Sequence, residues 1–140
     1  MPFRPGDRVR RLAAPAGLLG AVAVACGYVG VVDPNDPGHY PVCPLRQATG
    51  LWCPGCGGLR CVHALVHGDL PAALHANLLA VAAFAACAVL WVRWTVRAVA
   101  GWSCGRRPGR VSRQVPWVLV VLVAVFTVTR NLPVGHWLRP

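Results

Sequence analysis

Three cysteines and two histidines fall within nineteen residues, LWCPGCGGLRCVHALVHGD, at positions 51–69. Thiols and imidazoles at that density have three chemical readings. In the first they bind a metal. A Cys-Pro-Gly-Cys knuckle lets the sulfurs of Cys53 and Cys56 face one ion, and Gly57 lets backbone N–H groups approach the sulfur. Cys43, across a loop able to fold back, is a third ligand. His67 is the fourth, with His63, Cys61 and His39 as alternatives, and Arg60 steadies the thiolate charge. Such donors suit a thiophilic ion, zinc first. In the second reading Cys53 and Cys56 are an exchanging thiol–disulfide pair, activated by a helix N-terminus and by Arg60 one turn on. In the third, Cys43 is simply disulfide-bonded to Cys53 or Cys56 and ties a loop down.

The spacing from Cys53 through Cys56, Arg60 and His63 to His67 steps by three and four residues, which on a helix lines up one face. A short amphipathic helix is therefore expected over 56–67. Leu59, Val62 and Val66 fall on another of its faces, and Gly68 ends it.

What must position this cluster is strongly apolar. Hydrophobic residues make up 56% of the 140, only 13% are charged, and mean hydropathy is +0.51. Soluble domains carry about 25% charged residues, so the balance points to lipid. Three apolar runs are expected to span it: 13–32, 70–97 and 115–132. The first is twenty residues long, about 30 Å as a helix, enough for a bilayer core. Its Ala23-Val24-Ala25-Cys26 loosely resembles a lipoprotein cleavage site, a rival reading that leaves the cluster on the same side. The second run opens with Asp69 as N-cap and Pro71 in the first turn. Trp91 and Trp94 are placed at its far interface beside Arg93 and Arg97. The third run is β-branched, which in water suggests a strand, but a lone strand in lipid leaves its backbone unpaired, so it reads as a helix.

The segment 33–55 is then an outer, cysteine-containing loop and 98–114 a basic cytoplasmic one. All fourteen basic residues are arginine, and glutamate is absent. Ten arginines lie in the N-terminus and the 93–113 region, and four (Arg46, Arg60, Arg130 and Arg139) on the other side. That bias puts the N-terminus in the cytoplasm of a plasma-membrane protein and the cluster outside. The net charge of +10 invites a nucleic-acid partner, but the arginines sit in short blocks beside apolar runs, so none is expected. The expected partners are the lipid bilayer and an unidentified membrane complex. The abundance of arginine and alanine fits a GC-rich bacterial genome.

Outside the cluster, Cys26 and Cys87 read as packing residues in apolar helices, and Cys104 as a free cytoplasmic thiol. His75 and Asn77, in the first turns of the second span, are candidates for a site wall. His136 reads as exposed. Arg130-Asn131 either pairs with the outer loop or anchors at headgroups.

The pattern Cys43-Pro44, Thr49-Gly50-Leu51, Cys53-Pro54-Gly55-Cys56-Gly57, Arg60, His67-Gly68-Asp69, Ala73, Asn77 and Arg130-Asn131-Leu132-Pro133 resembles the bacterial membrane-protein family catalogued as domain of unknown function 2752. Leu59 stands where that family usually has threonine, and Leu78 where it often has proline. The resemblance implies an integral membrane protein with Cys43, Cys53, Cys56 and Arg60 as its marked residues, and it implies no reaction. The reading is an all-α integral membrane protein with three transmembrane helices and a short outer interfacial helix carrying the Cys-Pro-x-Cys-Gly motif. Its leading function is a non-enzymatic metal or structural site, with the redox protein and the scaffold or complex subunit as alternatives.

Overall fold

The computed structural model describes residues 5–100 and 113–139. The expected basic loop and Cys104 fall largely or wholly outside them. Among the described residues the chain is all helical: α1 (Pro5–Val31), α2 (Pro44–Thr49), α3 (Gly58–Val66), α4 (Leu70–Val99), α5 (Gln114–Asn131) and a closing 3-10 helix, Pro133–Leu138. Three of these, within Arg10–Val31, Leu70–Val99 and Gln114–Asn131, are long and apolar enough to cross a membrane.

α1 begins well before the apolar run at residue 13, because nothing in its basic first turns forbids helix. Pro15 lies inside it and is buried. Its carbonyl accepts from Trp91 Nε1 of α4 at 3.1 Å, so this tryptophan joins two helices as well as lying near the end of α4.

α3 is shorter than the expected 56–67. Gly57 has φ +81°, a left-handed conformation that a helix cannot include and that favours glycine. The helix therefore starts at Gly58, and the two knuckle cysteines sit in a turn before it, closed by Cys56 N–H to Cys53 O (3.2 Å) and Gly58 N–H to Gly55 O (2.9 Å). Gly68, at φ +77°, ends α3, with Asp69 N–H returning to Ala64 O. Asp69 Oδ1 then accepts from Ala72 N–H at 2.9 Å and caps α4.

α4 is broken at Asn77, whose backbone leaves the helical region (φ −165°, ψ 95°). The side chain makes the break tolerable. Its Oδ1 accepts from Ala80 N–H at 3.0 Å, an N-cap bond that restarts the helix. The break occurs with leucine at 78, so it does not require a proline there. Beyond it, residues 78–99 still reach about 33 Å at ~1.5 Å per residue. The Asn77 Nδ2 donates to Pro54 O at 2.9 Å and Cys56 O at 3.1 Å, so one buried amide both interrupts α4 and holds the cysteine turn. Asn77→Ala orphans two carbonyls and one N–H. It is expected to cost about 2–4 kcal/mol, read as a lower midpoint of thermal unfolding in detergent; an unchanged midpoint would show that water replaces all three bonds.

The core is small: Cys61, Ala73 and Ala76, with Ala64, Leu65, Ala80 and Val81 around them, where α1, α3 and α4 meet. α5 packs chiefly on the closing 3-10 helix, which in turn meets α4. That fold-back needs Gly135, since a Cβ there would collide with the Thr129 carbonyl. The last two carbonyls of α5, on Arg130 and Asn131, and that of its C-cap Leu132 accept from Arg139 at 3.1, 3.2 and 3.5 Å.

Candidate metal centre

Three sulfurs meet where α2, the knuckle turn and the ends of α4 and α5 converge. Cys43 Sγ lies 3.4 Å from Cys53 Sγ, Cys53 Sγ lies 2.8 Å from Cys56 Sγ, and all three fall within 4.8 Å of one another. Cys53 is thus the central member. Local sequence explains each placement. Cys43 is the N-cap of α2, started by Pro44, and the Cys-Pro-Gly-Cys turn brings Cys53 and Cys56 together over three residues. Tetrahedral zinc with Zn–S of about 2.3 Å separates its sulfurs by about 3.8 Å, so the group would have to widen by about an ångström at its shortest edge. Among the described residues, no other histidine, cysteine or acidic side chain joins the group, and no two cysteines are disulfide-bonded.

The residues expected as fourth ligand lie elsewhere. His63 Nδ1 is 2.9 Å from Val29 O of α1, and its Nε2 is 3.9 Å from Asp33. His67 Nδ1 bonds His63 O at 2.9 Å, and the two rings lie tilted by 35° with centroids 4.3 Å apart. Cys61 is fully buried against α4, where desolvation pushes its thiol up. His39 is exposed. The single helix face that would have aligned cysteines and histidines is interrupted by the left-handed Gly57.

Arg60, expected to steady the thiolates, is exposed and lines two cavities. The cation at the heart of the molecule is Arg130, with no exposed surface at all. Its Nη1 donates to Cys53 O at 3.2 Å and its Nη2 to Ala76 O at 3.1 Å. Its Nε is buried and makes no hydrogen bond. Phe126 and Trp52 lie 5.4 and 5.8 Å from the guanidinium. The next residue, Asn131, clamps the backbone of Trp52, accepting its N–H at 2.9 Å and donating to its carbonyl at 2.9 Å. Of the two sequence readings of Arg130-Asn131, these bonds select pairing with the loop. Its signal in the sequence was a lone arginine closing an otherwise apolar span, where charge marks a site.

The thiols are electrostatically unequal. The Arg46 backbone N–H, and then the neighbouring Cys53, bring Cys43 down to about 7, while burial and then Cys53 push Cys56 up to about 12. In metal-free reduced protein at pH 8, Cys43 is therefore mostly thiolate and Cys56 almost wholly thiol. Iodoacetamide followed by peptide mass spectrometry is expected to label Cys43 faster than Cys56, because the thiolate is the reacting species. Equal rates would remove the asymmetry.

Residues 43–91 match the family model described as protein of unknown function (DUF2752). The matched segment holds all three cysteines, α2, α3 and α4 as far as Trp91. It stops before the Arg130-Asn131 pair that supports them. No curated protein and no solved structure matches the chain.

Proposed function

We propose that this is a multi-pass membrane protein whose outward-facing thiols, Cys43, Cys53 and Cys56, bind one divalent thiophilic ion, zinc foremost. The observation that carries the reading is the pairing of three adjacent sulfurs with a fully buried arginine that makes no ion pair among the described residues. A guanidinium stays charged in any protein. Buried, it is costly unless an opposite charge compensates it. Its guanidinium bonds the carbonyl of Cys53, the central member of the thiol group. Three thiolates, one divalent ion and one guanidinium sum to neutrality, whereas a monovalent ion would leave a net negative charge beneath the loop. Soft sulfur ligands narrow the choice further, to zinc or a chemically similar ion. The arginine bias supports the outward orientation of the loop.

A second reading has its own observation. The 2.8 Å between Cys53 and Cys56 sulfurs suits a pair that exchanges between dithiol and disulfide. One experiment separates the two: elemental analysis of protein purified in mild detergent without chelators, with free thiols counted before and after reduction. The metal reading expects about one zinc per chain, and three additional reactive thiols on chelation without reductant. No metal, with two thiols appearing only after reduction, would sink it in favour of the redox pair.

A further inference from the structure

Beside the sulfurs lies an open cavity of about 580 Å³, walled by Cys43, Cys56, Arg46, Trp52 and Arg60, with Asp36 the only carboxylate on its lining. Its volume falls in the range of small-molecule sites, roughly 300–1,000 Å³. Two cations thus line the same cavity as two of the thiols, and neither is in a salt bridge among the described residues. Arg46 is already pre-positioned: its guanidinium carbon lies over the Trp52 ring, 3.2 Å from the centroid. Stacking uses the face of a guanidinium and leaves its N–H edge available to a planar anion. Trp52 is in turn fixed by the two Asn131 bonds, so this arginine rests on a platform clamped to the end of α5.

Zinc held by three protein ligands keeps a fourth position for an exogenous one. Here the chain supplies three sulfurs and no fourth donor from its described histidines, cysteines or acids. We propose, resting on the metal reading above, that the fourth ligand is a small organic thiol bearing a carboxylate. Its sulfur binds the ion from the cavity side, releasing its proton to solvent. Its carboxylate is held by Arg46 and Arg60. A thiol supplies the soft donor that the ion shares with the three cysteines. The ligand's thiolate and carboxylate together bring two negative charges, which Arg46 and Arg60 balance, whereas water or a neutral ligand would leave those two cations without an opposite charge. Arg130 does not contribute here, because it is fully buried, does not line the cavity and is engaged with the Cys53 and Ala76 carbonyls.

The test uses full-length protein in detergent loaded with Co²⁺, whose thiolate charge-transfer and ligand-field bands report the ion's coordination. Mercaptoacetate, 2-mercaptoethanol and acetate are titrated separately at one pH and ionic strength. Mercaptoacetate is expected to perturb the bands at about tenfold lower concentration than 2-mercaptoethanol, the effect of one to two charge-assisted hydrogen bonds, and acetate to perturb them least. In Arg46→Gln and Arg60→Gln the ratio of the two thiols should fall toward one. Using the ratio cancels any change in cobalt affinity. Equal responses to both thiols in the wild type, or an unchanged ratio in both variants, overturns the inference while leaving the metal site standing. Absence of any cobalt–thiolate band overturns the metal reading and this inference with it.

Discussion

Arg130→Met is expected to lower both the stability of the fold and its affinity for metal, by more than any other single change outside the cysteines. The methionine matches much of the arginine's length but offers no donor. It leaves the carbonyls of Cys53 and Ala76 without their N–H groups in a fully buried place, and it leaves the thiolates without the nearest enclosed positive charge. Removing one partner from a buried charged network costs about 3–5 kcal/mol. Removing a residue that supports metal ligands costs about 10–100-fold in affinity. The measurements are thermal unfolding in detergent and competition for Cd²⁺ against a chelator of known affinity. Arg130→Lys should recover part of the metal affinity through its charge but little of the stability, because an ammonium cannot span the two carbonyls as the planar fork does. Arg60→Gln, at an exposed position, should change the stability by less than about 0.5 kcal/mol. If Arg130→Met instead keeps both properties, the charge argument for the site fails, and Arg60 regains the role that sequence spacing assigned to it.

The contrast between those two arginines shows where sequence reading stops. Arg60 lies four residues after Cys56, so helical spacing makes it the natural neighbour. That inference required the helix to begin at the cysteine. The glycine at 57 takes a left-handed conformation instead, the helix starts two residues after the cysteine, and Arg60 lies at the surface. Arg130 is 77 residues from Cys53, and no local period connects them. Only the packing of the end of α5 against the loop does so. The three long apolar helices were legible because length and hydropathy are properties of one segment at a time. The approach of Cys53 to Cys56 was legible for the same reason. Cys43 was an intermediate case. Pro44 and Gly50 bound a six-residue helix inside what read as a plain loop, and that helix sets Cys43 against the knuckle. Asn77 was noted as a polar residue near the start of a span. Its double duty, capping the second half of α4 while bonding two carbonyls of the cysteine turn, depends on a break in the helix that its composition does not announce.

The cysteine series should divide the two chemistries that the sulfur geometry leaves in contention. If the three thiols hold one ion, each replacement by serine removes a ligand from the same site, and all three variants lose metal. Structural zinc sites are worth about 10–16 kcal/mol over their ligands, so one of three or four thiolates corresponds to on the order of 3 kcal/mol, or about a hundredfold in affinity. Cys53→Ser should be the most damaging, since its sulfur lies within 3.4 Å of one partner and 2.8 Å of the other and its loss separates the remaining two. If the protein works as an exchanging pair, the pattern differs. Cys53→Ser and Cys56→Ser abolish the disulfide, while Cys43→Ser leaves it intact and alters only the rate at which external thiols open it. Cys43 is therefore the decisive position, because it is the member with the lowered thiol pKa, about 7, and the one that a two-cysteine mechanism can spare. A Cys43→Ser protein that binds Cd²⁺ as tightly as the wild type, and forms a Cys53–Cys56 disulfide under mild oxidation, would remove this residue from the metal site and favour the redox reading. Loss of Cd²⁺ binding in Cys43→Ser to the same order as in Cys56→Ser would place all three sulfurs on one ion, and the thiolate charge left over by a divalent ion is the charge that the buried guanidinium of Arg130 balances.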